Sequence, residues 1–219
     1  MDSSSRQLPL RVKQGYTTGA RSLASRSVRG LARTRVTPNA LTAAGVSLCL
    51  AAAVIVPFEN RDKLLYYWLG AGVFVVGSIL DILDGALARV GGKSTPFGAF
   101  LDSTTDRVGE GAMLAAIALV FARSADDTAV VFTVAAVAGS FLVPYVRAKA
   151  EALGLRGDVG LGSRAERVVV ITAGLVFAPW GGLPWAIYFL AATAWLTVLQ
   201  RVLHVRKQLM HGGTNVGER

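Results

Sequence analysis

The sequence predicts an all-α integral membrane protein of six transmembrane helices, preceded by an amphipathic helix lying along the membrane interface. Composition is the first observation behind this. Of 219 residues, 53% are hydrophobic and mean hydropathy is +0.48, above the roughly 45–50% apolar usage of soluble domains. The second is that the apolar residues gather into stretches approaching the roughly 20 helical residues that cross a hydrocarbon core. The third is the distribution of charge. All but three of the 23 Lys and Arg residues fall before the first stretch, at or beyond the end of the last, or around the second and fourth connections. Only Arg61, Lys63 and Arg123 are left for the other side, which places both termini in the cytoplasm by the positive-inside rule.

Residues 1–15 are polar and terminal and are expected to be a disordered cytoplasmic tail. Over 16–36, Leu23, Val28 and Leu31 alternate with Arg21, Arg26, Arg29 and Arg33, which suits an interfacial helix, with a solvated basic tail as the alternative. Pro38 favours a helix start near Asn39. The six expected spans are Ala40 to Phe58, Leu64 to Leu80, Gly109 to Ala122, Ala129 to Tyr145, Val168 to Ala178, and Leu183 to Leu203, within a domain of residues 37–208 and followed by a cytoplasmic tail at 209–219. The connections on the far side are short, so sequential helices are expected to pack as antiparallel neighbours. Trp68, Trp180, Trp185, Tyr66, Tyr67 and Tyr188 fall near the predicted interfaces and read as anchors. Gly70, Gly72, Gly77, Gly109 and Gly111 offer faces for close helix approach. The lone Cys49 excludes an internal disulfide framework. A net charge of +9 would suit a nucleic-acid binder, but hydrophobic spans and sided charge already account for it, so no nucleic acid is expected as partner.

The chemistry concentrates between Asp81 and Asp106, where the second span ends and the third begins. Asp81 and Asp84 are three residues apart, and Asp102 and Asp106 four, so on helices each pair faces one way. If the two helices are neighbours, four carboxylates converge on one point. Unscreened they would raise one another's pKa, and a divalent cation is the simplest resolution. Oxygen donors with no His or Cys nearby favour Mg²⁺ or Mn²⁺ over zinc or copper. Each Asp singly also reads as a cap or turn residue, but together beside apolar spans they are expensive and mark a functional site. Gly85, Ala88 and Gly98 are small where a nucleotide would approach the backbone, although helix packing explains them as well. Arg89 would pair with a diphosphate or reach to the interface.

The spacing D-x-x-D-G-x-x-A-R-x8-G-x3-D-x3-D, met in full by Asp81, Asp84, Gly85, Ala88, Arg89, Gly98, Asp102 and Asp106, resembles the signature of the CDP-alcohol phosphatidyltransferase family. That resemblance implies six transmembrane helices, a homodimer, an active site facing the cytoplasm from the cell membrane, and two divalent metals per site. It further implies that Asp81, Asp84 and Asp102 bind metal, that Asp106 binds metal and acts as general base, and that Gly85 and Arg89 contact the CDP moiety of CDP-diacylglycerol.

The acceptor alcohol has to be read outside the signature. Arg147, Lys149, Arg156, Arg164 and Arg167 lie toward the cytoplasmic rim, and Arg201 ends the last span. A small phosphorylated alcohol would need such cations. This segment is similar to that of bacterial phosphatidylinositol phosphate synthases, which implies inositol 1-phosphate as acceptor, with Arg147, Lys149, Arg164 and Arg201 around its phosphate. Ordinary positive-inside anchoring is the alternative for each of them. Glycerol 3-phosphate as acceptor is the rival within the family, and a non-enzymatic cation channel or transporter is the rival of another class.

Overall fold

The computed structural model describes residues 37–90, 95–157, 159–160 and 163–212, with side chains described except at 89, 90, 211 and 212. The expected tail at 1–15 and the expected interfacial helix at 16–36 lie outside the described residues, as does the end of the chain from 213. Within them the chain forms six α-helices: α1 Pro38–Ile55, α2 Lys63–Val90, α3 Pro96–Arg123, α4 Asp127–Ala152, α5 Arg164–Phe177 and α6 Leu183–Gly212. Short 3-10 turns, Val56–Phe58 and Ala178–Trp180, prolong α1 and α5, and no strand occurs among the described residues.

Local sequence fixes the helix starts nearest the site. Thr37 and Thr95 cap α1 and α3, each accepting a backbone N–H three residues on, and each is followed by a proline whose fixed φ and missing donor suit a first turn. Ser163 and Glu166 close a reciprocal capping box at the head of α5. The last helix runs on to Gly212, several residues beyond the expected end of its span.

The molecule is an all-α membrane protein. Pro38–Phe58, Lys63–Ala88, Asp127–Ala152 and Leu183–Met210 are long and apolar enough to cross a bilayer. All six expected spans fall within helices. The two outside that set differ for physical reasons: Asp102, Asp106, Arg107 and Glu110 put charge in the first part of α3 and leave it a shorter apolar run, and α5 has 14 residues, roughly 21 Å at the helical rise. The outer surface carries Val54, Ile82, Val131, Val134 and Val169, each more than half exposed, as a lipid-facing surface requires.

The interior joins Phe74 of α2, Met113, Leu114 and Ile117 of α3, Ile171 and Leu175 of α5, and Ile187 and Leu190 of α6. Tyr67, read from sequence as an interface anchor, belongs to this core at 6% exposure; with Ala71 and Phe74 it forms the i, i+4, i+7 stripe by which α2 faces inward. Trp68, Trp180 and Trp185 remain exposed, and the Trp68 indole donates to the Val176 carbonyl at 3.1 Å.

The helices joined by the short far-side connections, α1 with α2, α3 with α4 and α5 with α6, do pack together, but the condition that α2 and α3 be neighbours is hardly fulfilled. Their backbones barely meet; α1 packs against both, most extensively on α2. The contact is set by glycines. A Cβ on Gly45 would lie 2.9 Å from the Gly77 carbonyl oxygen, and one on Gly77 would lie 2.8 Å from that of Gly45. One turn on, Cys49, free and buried, would stand 3.0 Å from a Cβ on Gly109. With α1 filling that side, α2 and α3 are held apart where their carboxylates face each other.

Candidate functional site

Asp81 and Asp84 project from the last third of α2, Asp102 and Asp106 from the first half of α3. Three of the four converge: carboxylate oxygens of Asp81, Asp102 and Asp106 lie within 4.8 Å of one another. Three hard oxygen donors, one of them buried, fit a divalent cation such as Mg²⁺ or Mn²⁺.

Asp84 departs from the expected single point. Its carboxylate accepts a hydrogen bond from Thr42 of α1 and lies at 2% exposure. The reason is its helical position: three residues on from Asp81 the direction has turned by roughly 60°, toward α1 and an adjoining cavity. That cavity, about 140 Å³, is lined by Asp84, Gly85 and Ala88 of α2, by Gly98, Ala99 and Asp102 of α3 with its cap Thr95, and by Pro38, Asn39 and Thr42 of α1. Asp102 thus belongs to both the cavity and the cluster. Gly98 has no side chain where one would crowd Thr95 at 3.1 Å. The side chain of Arg89 lies outside the described residues. Asn39 and Thr42 were not singled out from sequence, and only their place at the head of a capped first span hinted at a role.

A second cavity, about 220 Å³, opens on the other side of Asp106. Its lining joins Asp106, Arg107 and Glu110 of α3, Val143, Pro144 and Arg147 of α4, Ser163, Arg164 and Arg167 at the head of α5, and Arg201 of α6. Five arginines face it. Arg164 ion-pairs with Asp106 at 2.8 Å and with Asp81, so it stands at the seam between cluster and cavity. Arg147 is half-exposed and paired with Glu151 at 2.8 Å. Arg201 is buried, donating from Nε to the Val159 carbonyl at 2.9 Å and from Nη1 to the Val143 carbonyl at 2.6 Å. The sequence expectation grouped Lys149 with these residues, but it is exposed and outside the lining. Two residues after Arg147, it points roughly 200° away around α4. Arg107 and Glu110 were not singled out from sequence, and Arg167 was named only as a rim cation.

Asp106 lies ahead of the apolar run of α3. Burial, then the charge of Asp102, pushes its carboxyl up to about 7, with Glu110 and Asp84 adding to the rise and Arg107 opposing it. Burial pushes the Arg164 guanidinium down to about 10, still cationic at neutral pH. A carboxylate that belongs to the cluster and also lines an arginine-rich hollow is placed to take a proton from a hydroxyl bound there. A larger hollow of about 450 Å³, lined mainly by Val169, Val170, Phe189 and Leu190, gathers none of the four aspartates.

The family model described as CDP-alcohol phosphatidyltransferase matches residues 35–205. Phosphatidylinositol phosphate synthase of Mycolicibacterium smegmatis is 39% identical over 181 residues, covering 80% of this chain and 79% of that protein. Archaetidylinositol phosphate synthase of Pyrococcus horikoshii is 35% identical over 183 residues, covering 83% and 90%. Among solved structures, Mycobacterium tuberculosis phosphatidylinositol phosphate synthase with CDP-DAG bound superposes with a TM-score of 0.74 at 31% identity, covering 84% of this chain and 94% of that one. The same enzyme in complex with manganese and citrate superposes with a TM-score of 0.74 at 32% identity, covering 83% and 88%.

Proposed function

Because the chain belongs to the CDP-alcohol phosphatidyltransferase family, and is therefore a phosphatidyltransferase of phospholipid synthesis, we propose that it moves the phosphatidyl group of CDP-diacylglycerol to a hydroxyl of inositol 1-phosphate. The products are phosphatidylinositol phosphate and CMP. The observation that carries this reading is the position of Asp106, shared between the carboxylate cluster and the five-arginine cavity.

In this reading the CDP moiety lies along the 140 Å³ cavity, where Gly85, Ala88 and Gly98 leave room for it, and Arg89 of the signature is assigned to its diphosphate. Asp81, Asp84, Asp102 and Asp106 hold two divalent ions, Mg²⁺ or Mn²⁺. When bound, those ions neutralise the carboxylates and the diphosphate and stabilise charge on the leaving oxygen. Asp102, common to cavity and cluster, ties the nucleotide to the reacting centre. The manganese complex of the M. tuberculosis relative and the oxygen-only donor set support this assignment.

Arg147, Arg164 and Arg201, joined by Arg107, orient the acceptor phosphate; guanidinium groups offer paired donors suited to it. Asp106 takes the hydroxyl proton as the acceptor oxygen bonds to the lipid-side phosphorus. The bond from that phosphorus to the CMP oxygen breaks, and CMP leaves with its electron pair. Because acceptor oxygen and base are held together, much of the entropic barrier is met on binding. We further propose that the enzyme is a homodimer in the cell membrane with this site facing the cytoplasm, in keeping with the sidedness of its basic residues. The names of the relatives favour neither the glycerol 3-phosphate nor the channel alternative.

Purified protein with CDP-diacylglycerol, Mg²⁺ and a panel of inositol 1-phosphate, glycerol 3-phosphate and free inositol tests the assignment. CMP release should be fastest by at least about a hundredfold with inositol 1-phosphate, since the other two leave polar groups of the pocket unmatched. Preference for glycerol 3-phosphate, or equal rates with free inositol, would contradict it.

A further inference from the structure

Glu110 is a buried carboxylate that the chemistry above does not use. It sits one turn beyond Asp106 on α3, at 7% exposure. Both oxygens are engaged by Arg167, Nε to Oε1 at 2.7 Å and Nη2 to Oε2 at 2.9 Å, a two-pronged charge-assisted fork of fixed geometry. The helix carrying Arg167, α5, packs on α2 and α6 rather than on α3. The fork joins two lining residues of the arginine-lined hollow and ties α5 to α3 where their backbones make little contact.

A buried ion pair is a poor choice if adhesion alone is needed, because apolar residues of equal volume join helices as well or better. Its distinctive contribution is orientation. On α5, Arg167 follows Arg164 by three residues, and on α3, Glu110 follows Asp106 by four, so the two helices are joined by successive rungs. The first rung, Asp106 to Arg164 at 2.8 Å, involves the proposed base itself and has to adjust when the site reacts. The second shares no residue with the carboxylate cluster. It can stay closed throughout the reaction.

We propose that Glu110 is a positioning residue for the acceptor: through Arg167 it holds the first turn of α5, so that Arg164 meets the acceptor phosphate at a set distance from Asp106. The inference rests on the phosphatidyl-transfer reading and adds a determinant of acceptor binding that lies outside the family signature.

Steady-state kinetics of Glu110→Gln, Arg167→Lys and the double variant, in detergent or nanodiscs, test it with the two substrates varied separately. Glu110→Gln keeps the shape and removes the charge. The KM for inositol 1-phosphate should rise about tenfold, the size expected for one lost hydrogen bond to a charged group, while the KM for CDP-diacylglycerol stays within about twofold. The double variant should go no further than the larger single effect, since both changes open the same fork. Equal rises in both KM values, a fall in kcat alone, or effects that multiply would overturn the inference. If Glu110→Gln fails to fold, Arg167→Lys carries the same comparison, keeping the charge while losing the two-pronged geometry. Wild type that releases no CMP with any acceptor overturns the transfer reading and this inference with it. Active wild type with unshifted variants overturns this inference alone.

Discussion

Asp102 lines the smaller cavity with Asp84 and joins Asp81 and Asp106 in the cluster, so one carboxylate links the two halves of the proposed site. The four aspartates were legible in the sequence because i, i+3 and i, i+4 spacings translate directly into a shared helix face. Thr42 and Glu110 were not, because each meets its partner from a different helix, 42 and 57 residues away. Arg147 and Arg201 looked alike as basic residues near a rim and differ in surroundings: Arg147 is half-exposed, whereas Arg201 is buried against two backbone carbonyls. Arg147→Ala should therefore raise the acceptor KM while leaving the thermal midpoint in place. Arg201→Ala should raise the acceptor KM and also lower stability by about 1–3 kcal/mol, since two buried carbonyls lose their donor. Kinetics paired with thermal unfolding in detergent checks both, and identical behaviour of the two variants would contradict the division.

At the scale of elements, hydropathy located all six helices, and four of them, α1, α2, α4 and α6, are long and apolar enough to cross a bilayer. The place of α1 between α2 and α3 was hidden: Gly45 is one small residue among many, and its close approach to Gly77 exists only once the helices cross. That crossing bears on the carboxylate cluster, since a Cβ on Gly45 would also lie 3.2 Å from the Asp81 Cβ. Gly45→Ala should force α1 and α2 apart, costing about 1–3 kcal/mol, and should weaken Mn²⁺ binding measured by electron paramagnetic resonance. Gly72→Ala has no heavy atom within 4 Å to meet and should leave Mn²⁺ binding unchanged, with stability equal or slightly higher. A Gly45→Ala protein with unaltered Mn²⁺ affinity would show that this crossing does not position Asp81.

For the whole molecule, the sequence conveyed the membrane class and a sided charge pattern, while helix neighbours depended on packing that no single segment encodes. The charge pattern makes a separate prediction. In intact cells, a membrane-impermeant maleimide should label Ser124→Cys, in the turn after α3, and should reach Met210→Cys, near the end of α6, only after permeabilisation. Cys49 is buried and gives little background. The reverse labelling would invert the proposed orientation. The central claim is phosphatidyl transfer by Asp106 to a phosphorylated inositol, and mass spectrometry of the lipid formed from CDP-diacylglycerol and inositol 1-phosphate tests it most directly. Wild type should yield a lipid carrying both the transferred phosphate and the acceptor's own, and Asp106→Asn, folded as wild type, should form it at least about a hundredfold more slowly. A lipid lacking the acceptor phosphate, or an Asp106→Asn protein as fast as wild type, would contradict the account.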